Sequence, residues 1–248
     1  MDGKEFPLLK KILLFPVKLV YTAWFDLVML LMHVLGIPIA LVLLPLGQVK
    51  IVRWIERRWV FTLFLLGGKI LRVSGRENAE KGHAYVIIAN HSSFYDIHTL
   101  LGLFPAMGFL AKKSLFSIPL IRQGLRVSNS VPIDRGDLRS TVDALNQLIE
   151  QTQGDFTLGI FPEGTRTKTG ALGTFKRGFV RILRESGMSL LPVTLKGYYQ
   201  FKPKNRRLLD PFARLEAVIH PPLGPEELAN MTDAEIVEKA REIITAAM

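Results

Sequence analysis

An apolar run at residues 27–47 dictates where much of this chain can lie, because His33 is its one strongly polar residue. About 20 apolar residues are needed to cross the hydrocarbon core of a bilayer, so the run is long enough for a membrane helix. Gly36 and Pro38 interrupt its middle, where a proline removes a helical hydrogen bond. A second apolar piece follows at residues 59–66.

Basic residues flank this apolar arm on both sides. They are Lys4, Lys10 and Lys11 before it, and Lys50, Arg53, Arg57 and Arg58 after it. Positive flanks prefer the cytoplasmic side, and a single span would place one cluster on the wrong side. We therefore expect residues 1–68 to form a helical hairpin that enters one leaflet of the inner membrane from the cytoplasm and turns near residues 36–38. A cleaved signal peptide fits the late, long run poorly, and a helix pair buried in a soluble core is the remaining alternative.

The chain has a net charge of +10 and no cysteine. The lack of cysteine excludes disulfides, thiolate metal sites and a cysteine nucleophile. A basic balance favours anionic partners, which include nucleic acid, an anionic membrane surface and phosphorylated small molecules. The apolar arm favours the membrane, and the sequence lacks the aromatic-interleaved basic motifs of RNA-binding proteins, so we expect no nucleic-acid partner. No spacing typical of metal ligands occurs, and the oligomeric state stays open.

The rest of the chain, residues 69–248, alternates between short β-branched runs and helical patterns. The expected strands are 84–88, 107–111, 156–161, 190–195 and 215–219, and the expected helices are 97–104, 115–125, 141–150, 179–185 and 233–247. This alternation predicts an α/β domain with a mixed, largely parallel sheet flanked by helices. Active sites of such domains lie at the carboxyl ends of the strands.

A polar heptapeptide, Asn90-His91-Ser92-Ser93-Phe94-Tyr95-Asp96, follows the first of these strands. If the next helix begins near Ser93, His91 lies outside it and can fold back toward Asp96. The carboxylate then accepts the imidazole N–H, which leaves the other ring nitrogen free to take a proton. Backbone amides near Ser93 are candidates for holding a developing oxyanion. Alternatively, Ser93 and Asp96 form a capping box at the helix start.

Four blocks of sequence occur in the order that marks the glycerolipid acyltransferases, and the chain resembles the 1-acylglycerol-3-phosphate acyltransferases of that family. The blocks are Asn90-His91 through Asp96; Ala111-Lys112-Lys113-Ser114-Leu115 with Ile118-Pro119; Val131-Pro132-Ile133-Asp134-Arg135; and Phe161-Pro162-Glu163-Gly164-Thr165-Arg166. A later Leu191-Pro192-Val193 is similar to the family's last block. The resemblance covers roughly residues 70–200.

This resemblance implies an enzyme that moves a fatty acyl group onto the sn-2 hydroxyl of lysophosphatidic acid, giving phosphatidic acid. It makes His91 the general base and Asp96 its orienting partner, with no acyl-enzyme and no cofactor, since acyl-coenzyme A or acyl-carrier protein is a co-substrate. The residues it implies for substrate binding are Lys112, Arg135, Glu163, Gly164, Thr165 and Arg166. For Arg135, a surface pair with Asp134 is an equally good interpretation.

Two alternatives stay open at this point. The acceptor is another lysophospholipid or a lyso-aminolipid, or the chain is a non-catalytic, basic membrane-binding protein. The basic residues after the main blocks suit anionic headgroups or the phosphates of a carrier, and a solvated loop is equally plausible for the second group. They are Lys176 and Arg177, and then Lys202, Lys204, Arg206 and Arg207.

Overall fold

The structure, a computed structural model, describes residues 5–80, 82–104, 107–118, 130–133 and 157–248, together with single positions between them. Its strands are β1 (Leu71–Ser74), β2 (Tyr85–Ala89), β3 (Met107–Lys112), β4 (Val131–Ile133), β5 (Thr157–Ile160), β6 (Ser189–Lys196) and β7 (Leu215–Ile219). Its helices are α1 (Glu5–Leu43), α2 (Val49–Leu66), α3 (Tyr95–Leu103), α4 (Gly178–Ser186), α5 (Tyr198–Phe201), α6 (Pro225–Ala229) and α7 (Asp233–Ala246). Short 3₁₀ turns lie at Arg76–Asn78 and Lys113–Ser117.

The apolar arm is a helical hairpin, but the prediction that it turns near residues 36–38 is wrong. Helix α1 continues through Pro38 and ends at Leu43. Gly47 there adopts a φ of 72°, and its N–H donates to Leu44 O while the N–H of Gln48 donates to Leu43 O, both at 3.0 Å. This left-handed glycine turn satisfies the carbonyl of Leu43, the last residue of α1, and reverses the chain into α2.

Gly36, instead of turning the chain, lies where the two helices approach each other. A Cβ atom at this position would lie 3.5 Å from the indole nitrogen of Trp59 on α2. Pro38 removes one helical hydrogen bond, yet the helix on either side of it continues. The local break signal at Pro38 is therefore weaker than the complete helix-ending motif at residues 43–48.

The seven strands form one sheet in the order β1-β7-β6-β2-β5-β3-β4. Every neighbouring pair is parallel except β6 with β7. The prediction of a mixed, largely parallel sheet flanked by helices is thus confirmed. Strand β2 lies between β5 and β6, so the polar residues after β2 emerge at the middle of the carboxyl edge.

Side chains of the central strands alternate between two apolar layers, as the pleat of a strand requires. Ile87 and Ala89 face the layer formed with α1, α2 and α3. Val86 and Ile88 face the opposite layer, formed with α4 and α7. The hairpin contributes fully buried side chains to the first layer, among them Phe25, Leu63 and Phe64. The division of the chain at residues 68 and 69 stays a prediction, and one apolar layer extends across it.

Polar contacts fasten the base of the hairpin to the loop before β7. Lys18 Nζ donates to Asp210 Oδ2 at 2.6 Å, and the N–H of Leu209 donates to Thr22 Oγ1 at 2.9 Å. The buried ammonium of Lys69, just before β1, donates to the carbonyl oxygens of Asp210, Pro211 and Ala213 at 3.1, 2.6 and 2.7 Å. Hydrogen bonds to a charged donor are stronger than neutral ones, so these contacts fix the hairpin to the sheet domain.

The predicted strands 84–88, 107–111, 156–161, 190–195 and 215–219 match β2, β3, β5, β6 and β7 within one or two residues. The helices predicted at 97–104, 179–185 and 233–247 match α3, α4 and α7. The segment 115–125 begins in a 3₁₀ turn, and most of its remainder, like most of 141–150, lies outside the described residues. Strands β1 and β4 and helices α5 and α6 were not expected.

Replacing Gly75 by alanine should destabilise the β1 edge more than replacing Gly187 does. Both glycines have positive φ, 73° and 65°, which costs a non-glycine residue about 1–2 kcal/mol. A Cβ at Gly75 would also lie 1.9 Å from the carbonyl oxygen of Ile219, whereas one at Gly187 meets open space. Denaturant unfolding in detergent should show a clearly larger loss for Gly75→Ala than for the control Gly187→Ala. Equal losses would contradict the close approach of the two backbones.

Candidate active site

Asn90 extends the pairing of the two central strands beyond the end of β2. Its Nδ2 donates to the carbonyl oxygen of Leu195 at 2.9 Å, and its Oδ1 accepts from the N–H of Leu195 at 2.8 Å. A buried amide with both ends satisfied in this way holds the backbone of β2 against β6. The next residue, His91, therefore emerges from a fixed position at the carboxyl edge of the sheet.

His91 and Asp96 form the pair that their spacing predicts. His91 Nδ1 lies 2.8 Å from Asp96 Oδ2, and the carboxylate is fully buried. The same oxygen accepts the backbone N–H groups of Ser92 at 2.6 Å and Ser93 at 2.7 Å. Burial raises the pKa of the Asp96 carboxyl, whereas the hydrogen bonds from His91, Ser93 and Ser92 act in the opposite direction. Nε2 of His91 takes no part in this contact, and the His91 side chain is 14% exposed.

The capping alternative also describes part of the geometry. Asp96 reaches back to the amide of Ser93, as the acidic residue of a capping box does. The hydroxyl of Ser93 does not complete the box, because Oγ donates to the carbonyl oxygen of Lys202 at 2.8 Å. Asp96 thus orients His91 and closes the turn at once. We refer to residues Asn90–Asp96 as the His-Asp turn.

The FPEG block lies directly against the His-Asp turn. The ring of Phe161 stacks on the imidazole of His91 at a centroid distance of 4.0 Å and an interplanar angle of 17°. Glu163 is buried, and its two carboxylate oxygens accept the N–H of His91 at 2.7 Å and the N–H of Gly173 at 2.8 Å. The N–H of Thr167 donates to the carbonyl oxygen of His91 at 2.8 Å. The two blocks together therefore fix both the backbone and the ring of His91.

The structure places the residues of the predicted substrate site as follows. Glu163 is occupied by two amides, so it acts on His91 through the backbone, and a contact of Glu163 with the acceptor stays a prediction. Gly164 has a φ of 70° and, like Thr165, is exposed, while Arg166 is half-buried in the same loop. Lys112 ends β3 at the same edge of the sheet. Arg135 lies outside the described residues.

The amides of Ser92 and Ser93 are occupied by Asp96, so of the amides near Ser93 these two do not hold an oxyanion in this arrangement. The N–H groups of Ser92 and Ser93 both donate to Asp96, and that of His91 donates to Glu163. A donor for a developing negative charge has to come from another group of the site.

The basic run after α5 begins on the His-Asp turn, whereas its later residues Lys204, Arg206 and Arg207 are exposed. Ser93 bonds the carbonyl of Lys202 and forms a β-bridge with Pro203. The pKa of Lys202 is lowered, first by partial burial and then by the neighbouring guanidinium of Arg166. Two cations whose charges oppose each other in this way favour an anionic group near them. No motif in the sequence indicated that Lys202 lies here.

A largely apolar groove of about 340 Å³ lies between α1, α2 and α3. Met32, Gly36 and Ile37 of α1, Trp59 of α2 and Leu101 of α3 are among its lining residues. Burial lowers the pKa of His98, which also lines the groove, to about 4, so its imidazole is neutral near pH 7. Within the segments that the structure describes, no group of three histidine, aspartate or glutamate side chains is placed to hold a metal ion.

The same blocks identify the family. A family model described as Acyltransferase matches residues 70–196, which include the His-Asp turn and the FPEG block. The chain belongs to the acyltransferase family. The crystal structure of the 1-acyl-sn-glycerophosphate (LPA) acyltransferase PlsC from Thermotoga maritima superimposes with a TM-score of 0.78 at 25% identity, covering 93% of this chain and 95% of that one.

Relatives that are similar in sequence occur in chloroplasts and in bacteria. The chloroplastic 1-acyl-sn-glycerol-3-phosphate acyltransferase LPAT1 of Arabidopsis thaliana is 31% identical over 214 residues, which cover 85% of this chain and 60% of that protein. A 1-acyl-sn-glycerol-3-phosphate acyltransferase of Borreliella burgdorferi is 35% identical over 145 residues, covering 58% of each chain. The chain thus spans about 60% of the length of these curated relatives.

Replacing Glu163 by glutamine should destabilise the protein and slow any reaction that uses His91. The amide keeps one acceptor oxygen, but its NH₂ group opposes the second backbone N–H, which then remains buried and unpaired. We expect a loss of about 1–3 kcal/mol in the free energy of unfolding. Glu185→Gln is the control, because its carboxylate pairs with Arg181 on the surface and such pairs contribute about 0.5 kcal/mol or less. An unchanged stability of Glu163→Gln in denaturant unfolding would contradict this role.

Proposed function

We propose that the protein transfers a fatty acyl group from a thioester donor to the sn-2 hydroxyl of lysophosphatidic acid, which gives phosphatidic acid. The observation that carries the proposal is the buried Asp96 bound to Nδ1 of a partly exposed His91, at the carboxyl edge of the sheet. The relatives' names support this acceptor, and the fold of the Thermotoga maritima enzyme supports this chemistry.

His91 acts as the general base in this reaction. Its Nε2 takes the proton of the acceptor hydroxyl as the hydroxyl oxygen attacks the thioester carbonyl carbon. The carbon–sulfur bond of the resulting tetrahedral intermediate then breaks, and the thiolate leaves with the proton held by His91. The carboxylate of Asp96 stabilises the imidazolium that exists between these steps. General-base catalysis of this kind contributes about 10²–10⁴ in rate.

The acceptor phosphate binds beside Arg166, with Lys112 and Arg135 as further contacts. An arginine pairs its planar donors with phosphate oxygens, and Lys202 adds positive charge next to it. The fatty chain lies in the groove between α1, α2 and α3, whose lining is mostly apolar. Another lysophospholipid is the alternative acceptor. Its headgroup would require less positive charge from the protein than Arg166 and Lys202 provide. The donor is acyl-coenzyme A or acyl-carrier protein, since a basic chain fits both.

The hairpin attaches the enzyme to one leaflet on the cytoplasmic side of the inner membrane. Residues 13–43 of α1 form a helix long and apolar enough to cross a bilayer, with a mean hydropathy of 2.3. Phe25 and Val28, in the middle of that stretch, are buried against the sheet domain. Because these residues pack into the apolar layer of the domain, we infer that α1 lies along the membrane and does not cross it. Further along the same helix, Leu31 and Leu35, which are 53% and 67% exposed, face the acyl chains.

His91→Ala should abolish acyl transfer while the protein stays folded. Purified wild type in detergent is given lysophosphatidic acid and an acyl thioester, and phosphatidic acid is measured by mass spectrometry. We expect the variant to lose about 10²-fold or more in rate. His83→Ala is the matched control, because His83 is an exposed imidazole paired with Glu80 outside the site. If folded wild type acylates neither this nor any other lysophospholipid, the protein is a membrane-binding protein without this activity.

Replacing Leu35 by glutamate should weaken binding to anionic vesicles by about tenfold or more, because a buried leucine contributes about 1.5–3 kcal/mol and the new charge opposes insertion. Ala229→Glu carries the same charge change at an exposed position on α6, and it should bind like wild type. Vesicle sedimentation measures both variants. Equal binding of the two would contradict insertion of this face of α1.

A further inference from the structure

Two polar atoms of the His-Asp turn are buried and have no hydrogen-bond partner among the described residues. They are Oγ of Ser92 and Oδ1 of Asp96. Ser92 is 4% exposed and Asp96 is fully buried, so neither bulk water nor a bound substrate reaches these atoms. Buried polar groups normally have a partner, and leaving one unpaired is unfavourable. A partner for each atom therefore has to come from the protein beside it.

The carboxylate of Asp96 is hydrogen-bonded on one side only. Its Oδ2 lies 2.8 Å from Nδ1 of His91 and accepts the backbone N–H groups of Ser92 and Ser93 at 2.6 and 2.7 Å, whereas Oδ1 accepts none. Burial raises the pKa of this carboxyl, so its ionised form depends on the donors that reach it. A further donor at Oδ1 would stabilise the charge on Asp96.

The hydroxyl of Ser92 is the donor that is placed to reach Oδ1. The backbone nitrogen of Ser92 lies 2.6 Å from Oδ2 of the same carboxylate, so a rotation of the short side chain to another staggered position brings Oγ to the other oxygen. The neighbouring hydroxyls are already occupied. Ser93 Oγ donates to a backbone carbonyl at 2.8 Å, and the hydroxyls of Thr99 and Tyr198 lie 2.6 Å apart and pair with each other.

We propose that the Ser92 hydroxyl turns to donate to Asp96 Oδ1, and that Ser92 is thereby a positioning residue that keeps His91 available as the base. The rotation pairs a buried donor with a buried acceptor, so it satisfies both atoms at once. It also holds the carboxylate through both of its oxygens, which keeps Oδ2 directed at the imidazole. This inference rests on the proposed acyl transfer by His91.

The bond from Ser92 stabilises the two protonation states of the His91–Asp96 pair to different extents. While His91 is neutral and Asp96 is ionised, the pair carries a net negative charge, which a hydroxyl donor stabilises strongly. Once His91 has taken a proton, the imidazolium compensates the carboxylate and the same bond contributes less. Ser92 therefore lowers the proton affinity of the pair, so that Nε2 stays free to accept the proton of the substrate down to a lower pH.

Ser92→Ala should move the acid limb of the pH profile of kcat/KM to higher pH. Without the hydroxyl the pair binds a proton more readily, and the loss of one hydrogen bond corresponds to a shift of about 0.5–1 pH unit. The KM values at the pH optimum should stay unchanged for both substrates, because neither of them touches Oγ. Phosphatidic acid formed by purified protein in detergent is measured across the pH range. An acid limb that stays in place or moves to lower pH would overturn the proposal.

Two further variants separate this role from a general loosening of the turn. Ser93→Ala is the matched control, because Ser93 Oγ donates to the carbonyl oxygen of Lys202 and not to the carboxylate. We expect it to lower the free energy of unfolding and to leave the acid limb in place. Ser92→Cys keeps a weaker donor of similar size, so its acid limb should lie between those of wild type and Ser92→Ala. An equal shift in Ser92→Ala and Ser93→Ala would contradict a bond that is specific to Ser92.

The other ionisable side chains on the elements around the pair are the same in all these variants, so a shift reports on the hydroxyl alone. They are Asp26, His98, Glu163, Arg166, Tyr198 and Lys202. If wild type transfers no acyl group, the proposed function fails. The protonation of the pair is then followed through the NMR signals of the His91 imidazole. An equal titration midpoint in wild type and Ser92→Ala would overturn the inference without any measurement of activity.

Discussion

The orientation of His91 depends on two buried carboxylates that bind backbone amides. Asp96 takes the imidazole N–H and two amides on one oxygen, and Glu163 takes the amide of His91 on one oxygen and that of Gly173 on the other. Both carboxylates thus bind the backbone of the site, and Asp96 also binds the histidine ring. Removal of either would leave amides unpaired in a buried place, which links the geometry of the base to the stability of the fold.

Two surfaces of opposite character occur among the described residues: the apolar groove, and a polar cleft of about 430 Å³ that is lined by Asn90, His91 and Ser92. The apolar groove is built from the hairpin and α3, and the polar cleft is built from loops at the carboxyl edge of the sheet. A reaction between a lipid and a water-soluble thioester needs both environments within reach of one base. The hairpin contributes both to the core and to the exposed apolar surface. Phe25 and Phe64 are buried in the core, while Leu31 and Leu35 are exposed.

Much of the fold follows from local patterns, and much of the site depends on contacts that are distant in sequence. The β-branched runs of β2, β6 and β7 locate those strands directly, whereas β1, with four residues that alternate in burial, gives no such signal. The family blocks predicted the pair of His91 and Asp96, five residues apart. The bond from Glu163 to His91 spans 72 residues and that from Ser93 to Lys202 spans 109, so nothing local could indicate them. The prediction of a turn at Pro38 was wrong because it used only the local effect of proline and could not include the packing of α1 on α2.

The pairing of β1 with β7 has a consequence for the order in which a ribosome-made chain becomes compact. About 140 residues lie between these two strands, and the loop before β7 also receives Lys18 and Lys69. During synthesis, the hairpin emerges long before its partners exist, with a strand edge unpaired and apolar faces uncovered. Such nascent segments are prone to aggregation. Early attachment of the hairpin to lipid would shelter them, so the same helices that hold the finished enzyme at its substrate would also act as a chaperone for its own assembly.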